Sequence, residues 1–96
     1  RFRLPNAIER VALEDLVQTL GGLAPGADAE AIQFHVYEVG KRHPFADLRA
    51  WFRSLYEILF GTEQGPRMGS FIALYGVAET VALIQRALAG ADLSRA

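Results

Sequence analysis

Arg49 and Arg53 stand four residues apart, Glu57 follows four further on, and Arg67 sits in the run Gly65-Pro66-Arg67-Met68-Gly69. Residues four apart share one face of a helix, so Arg49 and Arg53 form a cationic stripe that Glu57 can partly neutralise. Arginine's planar fork matches the oxygens of a phosphate. Lys41, Arg42 and His43 extend that stripe upstream. The plain alternative is a solvated helix face, which the sequence leaves open. Arg67 has a different setting. Three glycines and a proline fall within nine residues, from Gly61 to Gly69. Proline fixes the chain and blocks a helical turn before it, and glycine admits backbone that other residues resist. A solvent-facing loop with one cation, opening onto a helix start with free N–H groups, suits an anion or the edge of a base. A structural arginine paired with an acid or a helix end is the competing reading.

Other chemistries have little footing. There is no cysteine, which excludes disulfides, thiolate metal sites and cysteine nucleophiles. His35 and His43 are eight residues apart in different local settings with no third strong ligand near in sequence. His35 is expected to pack or cap within its helix and His43 to cap the helix after Pro44. Ser54 and Ser70 lack a neighbouring His and Asp, and no phosphate-cradling glycine motif occurs. The expectation is binding without catalysis, without a metal and without a cofactor in these residues.

The elements that hold the cations follow from spacing. Ile8, Val11, Ala12, Leu16 and Leu20 recur at helical intervals after Pro5-Asn6, and Gly21-Gly22 ends that helix. Asp28 is a good N-cap for a second helix with Ile32, Val36 and Val39 on one face. A third helix is expected from about Phe45 or Ala46 to Phe60, burying Leu48, Trp51 or Phe52, Leu55 and Leu59, with Gly61 as its stop. A short helix over Met68 to Leu74 breaks at Gly76, and a last one carries Val77, Val81, Ile84 and Leu88 to Gly90. No stretch alternates with period two, so the fold class is all-α: about five helices in one compact cage over residues 1–96.

Composition sets bounds on the partner. Hydrophobic residues make up 51% of the 96, enough for a single core. The net charge of -1 hides a division: residues 21–40 carry three acids and no base, whereas residues 41–67 carry five bases against three acids. A polyanion would meet the middle of the chain. No apolar run reaches the ~20 residues that span a bilayer. The chain starts at Arg1 without a signal-like segment, which predicts a domain excised from a longer, cytoplasmic protein.

The stretch from Val39 to Leu88 resembles the C-terminal end of class I lysyl-tRNA synthetases and, more distantly, that of bacterial glutamyl-tRNA synthetases. The resemblance rests on an ordered series. A helix closes on Leu59-Phe60-Gly61, and a loop with Gly65-Pro66 follows. Then come Ser70-Phe71-Ile72-Ala73-Leu74-Tyr75-Gly76 and a helix with Glu79 and Val81. It implies an all-helical cage that holds the tRNA anticodon. Carried over residue by residue, Gly65, Pro66, Met68 and Gly69 surround the last anticodon base and Tyr56 adds a contact from the preceding helix. Gly69 replaces a bulky residue of the glutamyl pattern, and Tyr56 replaces an arginine. The implied partners are a lysine tRNA and the N-terminal catalytic domain of the same polypeptide, in a monomer. ATP and magnesium are implied for that catalytic domain alone. The rival expectations are a helical protein-interaction or structural domain, which the net charge of -1 favours, and a glutamyl-type anticodon domain.

Overall fold

The computed structural model describes residues 1–94. Five helices follow one another: α1 (Ala7–Gly21), α2 (Ala29–Lys41), α3 (Leu48–Leu59), α4 (Met68–Tyr75) and α5 (Val77–Leu88), with no strand among the described residues. Each of the first three starts on a side chain that accepts an otherwise orphan N–H. Asn6 accepts from Glu9 N–H at 2.9 Å, and Glu9 Oε1 returns the favour to Asn6 N–H at 2.9 Å, closing a capping box. Asp28 accepts from Ala31 N–H and Asp47 from Ala50 N–H. The cap at Asp47 moves the start of α3 two to three residues past the expected one. Phe45 and Ala46 stay in the turn after Pro44, and the Phe45 ring packs on Trp51 with centroids 5.1 Å apart.

α2 packs mainly against α4, α1 against α5 and α2, and α3 against α2 and α5. The core runs through Leu13, Leu16, Leu20, Ile32, Val36, Trp51, Leu55, Ile58, Met68, Ile72 and Ile84. Trp51, not Phe52, is the aromatic anchor of α3. It is wholly buried, and its indole N–H donates to Val36 O at 3.0 Å. α2 comes so close there that a Cβ at Gly40 would lie 2.3 Å from the indole ring. Between α4 and α5 the chain turns by 109° at Gly76, whose φ of +113° is open to glycine. No single helix among the described residues is long and apolar enough to cross a membrane.

α1 is rotated from its expected orientation. Ile8 and Val11 are 44% and 56% exposed, and the buried face is Glu9, Ala12, Leu13, Leu16 and Leu20. A carboxylate takes a core position because four donors meet it. Arg3 Nη1 and Nη2 donate at 2.7 and 2.8 Å, Asn6 N–H at 2.9 Å and Ser54 Oγ–H at 2.8 Å. Buried charge is tolerated when it is paired and bonded in this way.

Candidate functional site

α3 presents Arg49, Phe52, Arg53 and Tyr56 at successive helical spacings, opposite its Trp51–Leu55–Ile58 core face. With Glu63 and Gln64 of the following loop, these four line an open cleft of about 410 Å³. α2 supplies the neighbouring wall. Tyr37 meets Phe52 edge-on, with centroids 5.0 Å apart. Glu30, Phe34, Tyr37 and Lys41 recur at the four- and three-residue intervals of one helix face. Phe34 is 58% exposed and Tyr37 40%.

The Gly65–Arg67 loop and the first turn of α4 are fastened to both helices. Tyr56 Oη–H donates to Pro66 O at 2.8 Å, and Gly65 lies against the Tyr56 ring. Arg67 pairs with Glu30 of α2 at 2.6 Å. Gly69 N–H donates to the buried Gln33 Oε1 at 2.6 Å. A Cβ at position 69 would stand 2.3 Å from Ala29 O, so the close approach that glycine allows here is made to α2. Met68, expected to offer its thioether to a base, is fully buried; its apolar side chain completes the core under the loop. Tyr56, Gly65, Pro66 and Arg67 stay together at the surface. Beyond them the rings of Tyr56, Phe60, Phe71 and Tyr75 touch in series, and Phe71 and Tyr75 stack at 18°.

The cations differ in how tightly they are held. Arg53 lies between Glu57 at 2.9 Å and Glu63 at 3.1 Å. Arg53 and Arg3 together lower the Glu57 carboxyl below the usual range. Lys41 pairs with Glu38 at 3.1 Å. Arg42 does not continue the α3 stripe. Its guanidinium turns to α1 and grips Asp15 through Nε and Nη2 at 3.1 and 2.9 Å. His43 joins the same carboxylate at 2.7 Å rather than capping the helix after Pro44. Arg49 is exposed and has no carboxylate within pairing distance among the described residues. Desolvation, helped by Tyr37, raises the Tyr56 phenol, so it stays a neutral donor to Pro66 O. No group of three or more His, Asp or Glu that could hold a metal ion occurs among the described residues.

Phe34, Tyr37 and Phe52 belong to this surface although their residue types do not announce it. Two signals are present in the sequence. Phe34 and Tyr37 fall off the Ile32–Val36–Val39 core face of α2, and Phe52 falls beside Trp51 rather than on the Trp51–Leu55 line. That α2 and α3 bring Tyr37 and Phe52 together is a tertiary fact.

Fold and surface define a small all-α domain that exposes rings and guanidinium groups along an open cleft. Over 93 residues, 97% of the chain, it is 55% identical to a lysine-tRNA ligase of Roseobacter denitrificans, of which it covers 18%. It is 39% identical over 84 residues to a lysine-tRNA ligase of Rickettsia felis, covering 88% of the chain and 16% of that protein. It is 40% identical over 87 residues to one from Rickettsia bellii, covering 91% and 17%. The chain thus matches a segment of these lysine-tRNA ligases and spans less than a fifth of their length. No family model matches the chain, and no solved structure matches it.

Proposed function

We propose that this chain is the anticodon-binding domain of a class I lysyl-tRNA synthetase, related to the C-terminal domain of the glutamyl enzymes. The observation that carries the reading is the surface where α2, α3 and the Gly65–Gly69 loop meet. Exposed rings, the unpaired Arg49 and the tethered Arg67 lie together there, in a chain that corresponds to a segment of lysine-tRNA ligases. RNA loops are recognised by stacking of unpaired bases, by hydrogen bonds to their edges and by cations on the backbone. The surface offers all three kinds of group. Arg49 and Arg53 face the phosphates, with Lys41 at the rim. Arg67, Pro66 and Tyr56 address the last anticodon base. Arg42 acts indirectly by holding α1 to the end of α2.

The lysine tRNA is the proposed partner in the cytoplasm, and the catalytic part of the same polypeptide would supply ATP, magnesium and the ligation chemistry. A second surface supports that covalent partnership. Leu4, Ile8 and Val11 are 60%, 44% and 56% exposed, and Ile8 and Val11 share one face of α1, aliphatic side chains suited to packing against protein. Binding of the chain at low salt to the anticodon stem-loops of lysine and glutamate tRNAs tests the reading. Tighter binding of the lysine stem-loop is expected. A preference for the glutamate stem-loop would move the assignment to the glutamyl type, and no binding to either would leave a protein-interaction domain.

A further inference from the structure

We infer that Phe34 and Tyr37 of α2 are a stacking platform for unpaired RNA bases, with Arg49 of α3 placed for the adjoining phosphate. The inference rests on the anticodon-binding reading and adds to it a wall that the loop and α3 do not contain. Three observations lead to it. Phe34 and Tyr37 are three residues apart on α2, and both leave much of their ring in solvent. Tyr37 is braced from behind by Phe52, so its ring is held rather than free to collapse. Arg49 lines the cleft that Phe52 and Tyr56 also line, and it is the cation of that cleft without a carboxylate partner.

The chemistry of the surroundings selects bases over a protein side. Charged groups share these faces: Glu30 and Lys41 lie on the face of α2 that carries Phe34 and Tyr37, and Arg49 and Arg53 line the cleft with Phe52. A protein helix seeking an apolar groove would have to desolvate those charges. A nucleobase has an apolar face and a polar rim, so it can lie on a ring and keep its edges among polar groups. The exposed aliphatic pair Ile8 and Val11 on α1 is the opposite case.

The test uses the chain with a fluorescent anticodon stem-loop of lysine tRNA and with versions carrying an abasic site at each unpaired position in turn. Phe34→Ala and Tyr37→Ala are expected to keep the helical spectrum, because both side chains are exposed. Each should weaken binding by about 5- to 150-fold, the range of one lost base–ring stack. The loss should vanish on the stem-loop whose stacked base is already missing. Tyr37→Phe should bind like the parent chain, because stacking needs the ring and not the hydroxyl. Unchanged binding by both alanine variants would overturn the platform while leaving the domain reading intact. So would an equal loss on every abasic stem-loop, which would mark the rings as structural. If the unaltered chain binds no stem-loop at all, the reading beneath the platform fails and the platform with it.

Discussion

Two charged regions of this molecule use the same residue types to opposite ends. Around Glu9 and Asp15, carboxylates meet donors from several elements. Arg3, Asn6 and Ser54 converge on Glu9, while Arg42, His43 and Thr19 converge on Asp15. Burial pushes the Glu9 carboxyl up, but the Arg3 guanidinium, the Asn6 amide and the Ser54 hydroxyl outweigh it and hold it at about 2. Arg42, with His43 and Thr19, holds Asp15 at about 2 against its own partial burial. Along α2, α3 and the loop the guanidinium groups reach solvent: Arg53 is 55% exposed beside Glu57, and Arg67 and Glu30 are 46% and 78% exposed, so water and salt weaken these pairs. Multidentate charge that joins different elements fixes helices to one another. Exposed charge stays exchangeable, and a phosphate or base can replace a carboxylate at little cost.

The largest effect should come from the point where the exchangeable face is anchored to the core. Gly69→Val puts a branched side chain against Ala29 O, which belongs to backbone and cannot swing aside. A loss of about 3 kcal/mol or more is expected in thermal unfolding, together with loss of RNA binding. A variant that melts like the parent would show that the loop is not seated on α2.

Glu9→Ala removes the centre of the clamp and should cost about 2 kcal/mol, or roughly 8–16 °C in melting temperature. RNA affinity per folded molecule should not change, because Glu9 faces α3 from within. The same clamp predicts the pH profile. A carboxyl whose folded pKa is depressed stabilises the fold above its unfolded pKa, and that stability drains away as pH falls toward the folded value. Glu9 and Asp15, ordinarily at 4.5 and 3.8, both sit at about 2 in the fold. Stability should therefore be level above about pH 5 and fall steadily to pH 2. Glu9→Gln should flatten that slope, and an unchanged slope would remove Glu9 from the account.

Arg67→Ala tests the exposed side. It should melt within about 1 kcal/mol of the parent, since its pair with Glu30 is exposed. It should lose about tenfold in binding to the lysine stem-loop and discriminate less at the last anticodon base. The effect lies at the low end for an arginine because Arg67 must first leave Glu30. Unfolding of this variant would make Arg67 a clamp like Arg3.

The smallest effect separates two neighbours on α3. Arg49→Ala should leave stability unchanged and lower the salt dependence of RNA binding by about 0.7, the contribution of one phosphate on a single strand. Arg53→Ala should lower it less, because Glu57 and Glu63 already neutralise Arg53. Equal slopes for the two variants would mean that the acids move away when RNA arrives.

Much of the fold was legible because helices are local objects. Asp28 as a cap, Gly61 and Gly76 as breaks, and the Ile32–Val36–Val39 spacing all act within four residues, and the structure keeps each of them. The orientation of α1 was legible only in part: Ala12, Leu16 and Leu20 are buried as expected, Ile8 and Val11 are not. Counting apolar residues favours Ile8 and Val11, whereas the buried face passes through Glu9 and Leu13. Nothing near Glu9 in sequence reveals that Ser54, 45 residues away, will satisfy it. The site divides in the same way. Arg49, Arg53 and Tyr56 share a face by helical period alone, but the rings of α2 that adjoin them do so only because Trp51 and Gly40 press α2 and α3 together.

The sequence by itself determined the five helices, the Asp28 cap, the glycine-rich loop and the absence of thiol chemistry, since these depend on residue type and on spacings of one helical turn. Tertiary structure alone decided that Met68 turns inward, that Gly69 rests on α2, that Arg42 serves Asp15, and that Tyr37 stands against Phe52 of the α3 cleft. Those outcomes depend on which helix packs against which, and the partners lie tens of residues apart with no local signal to join them.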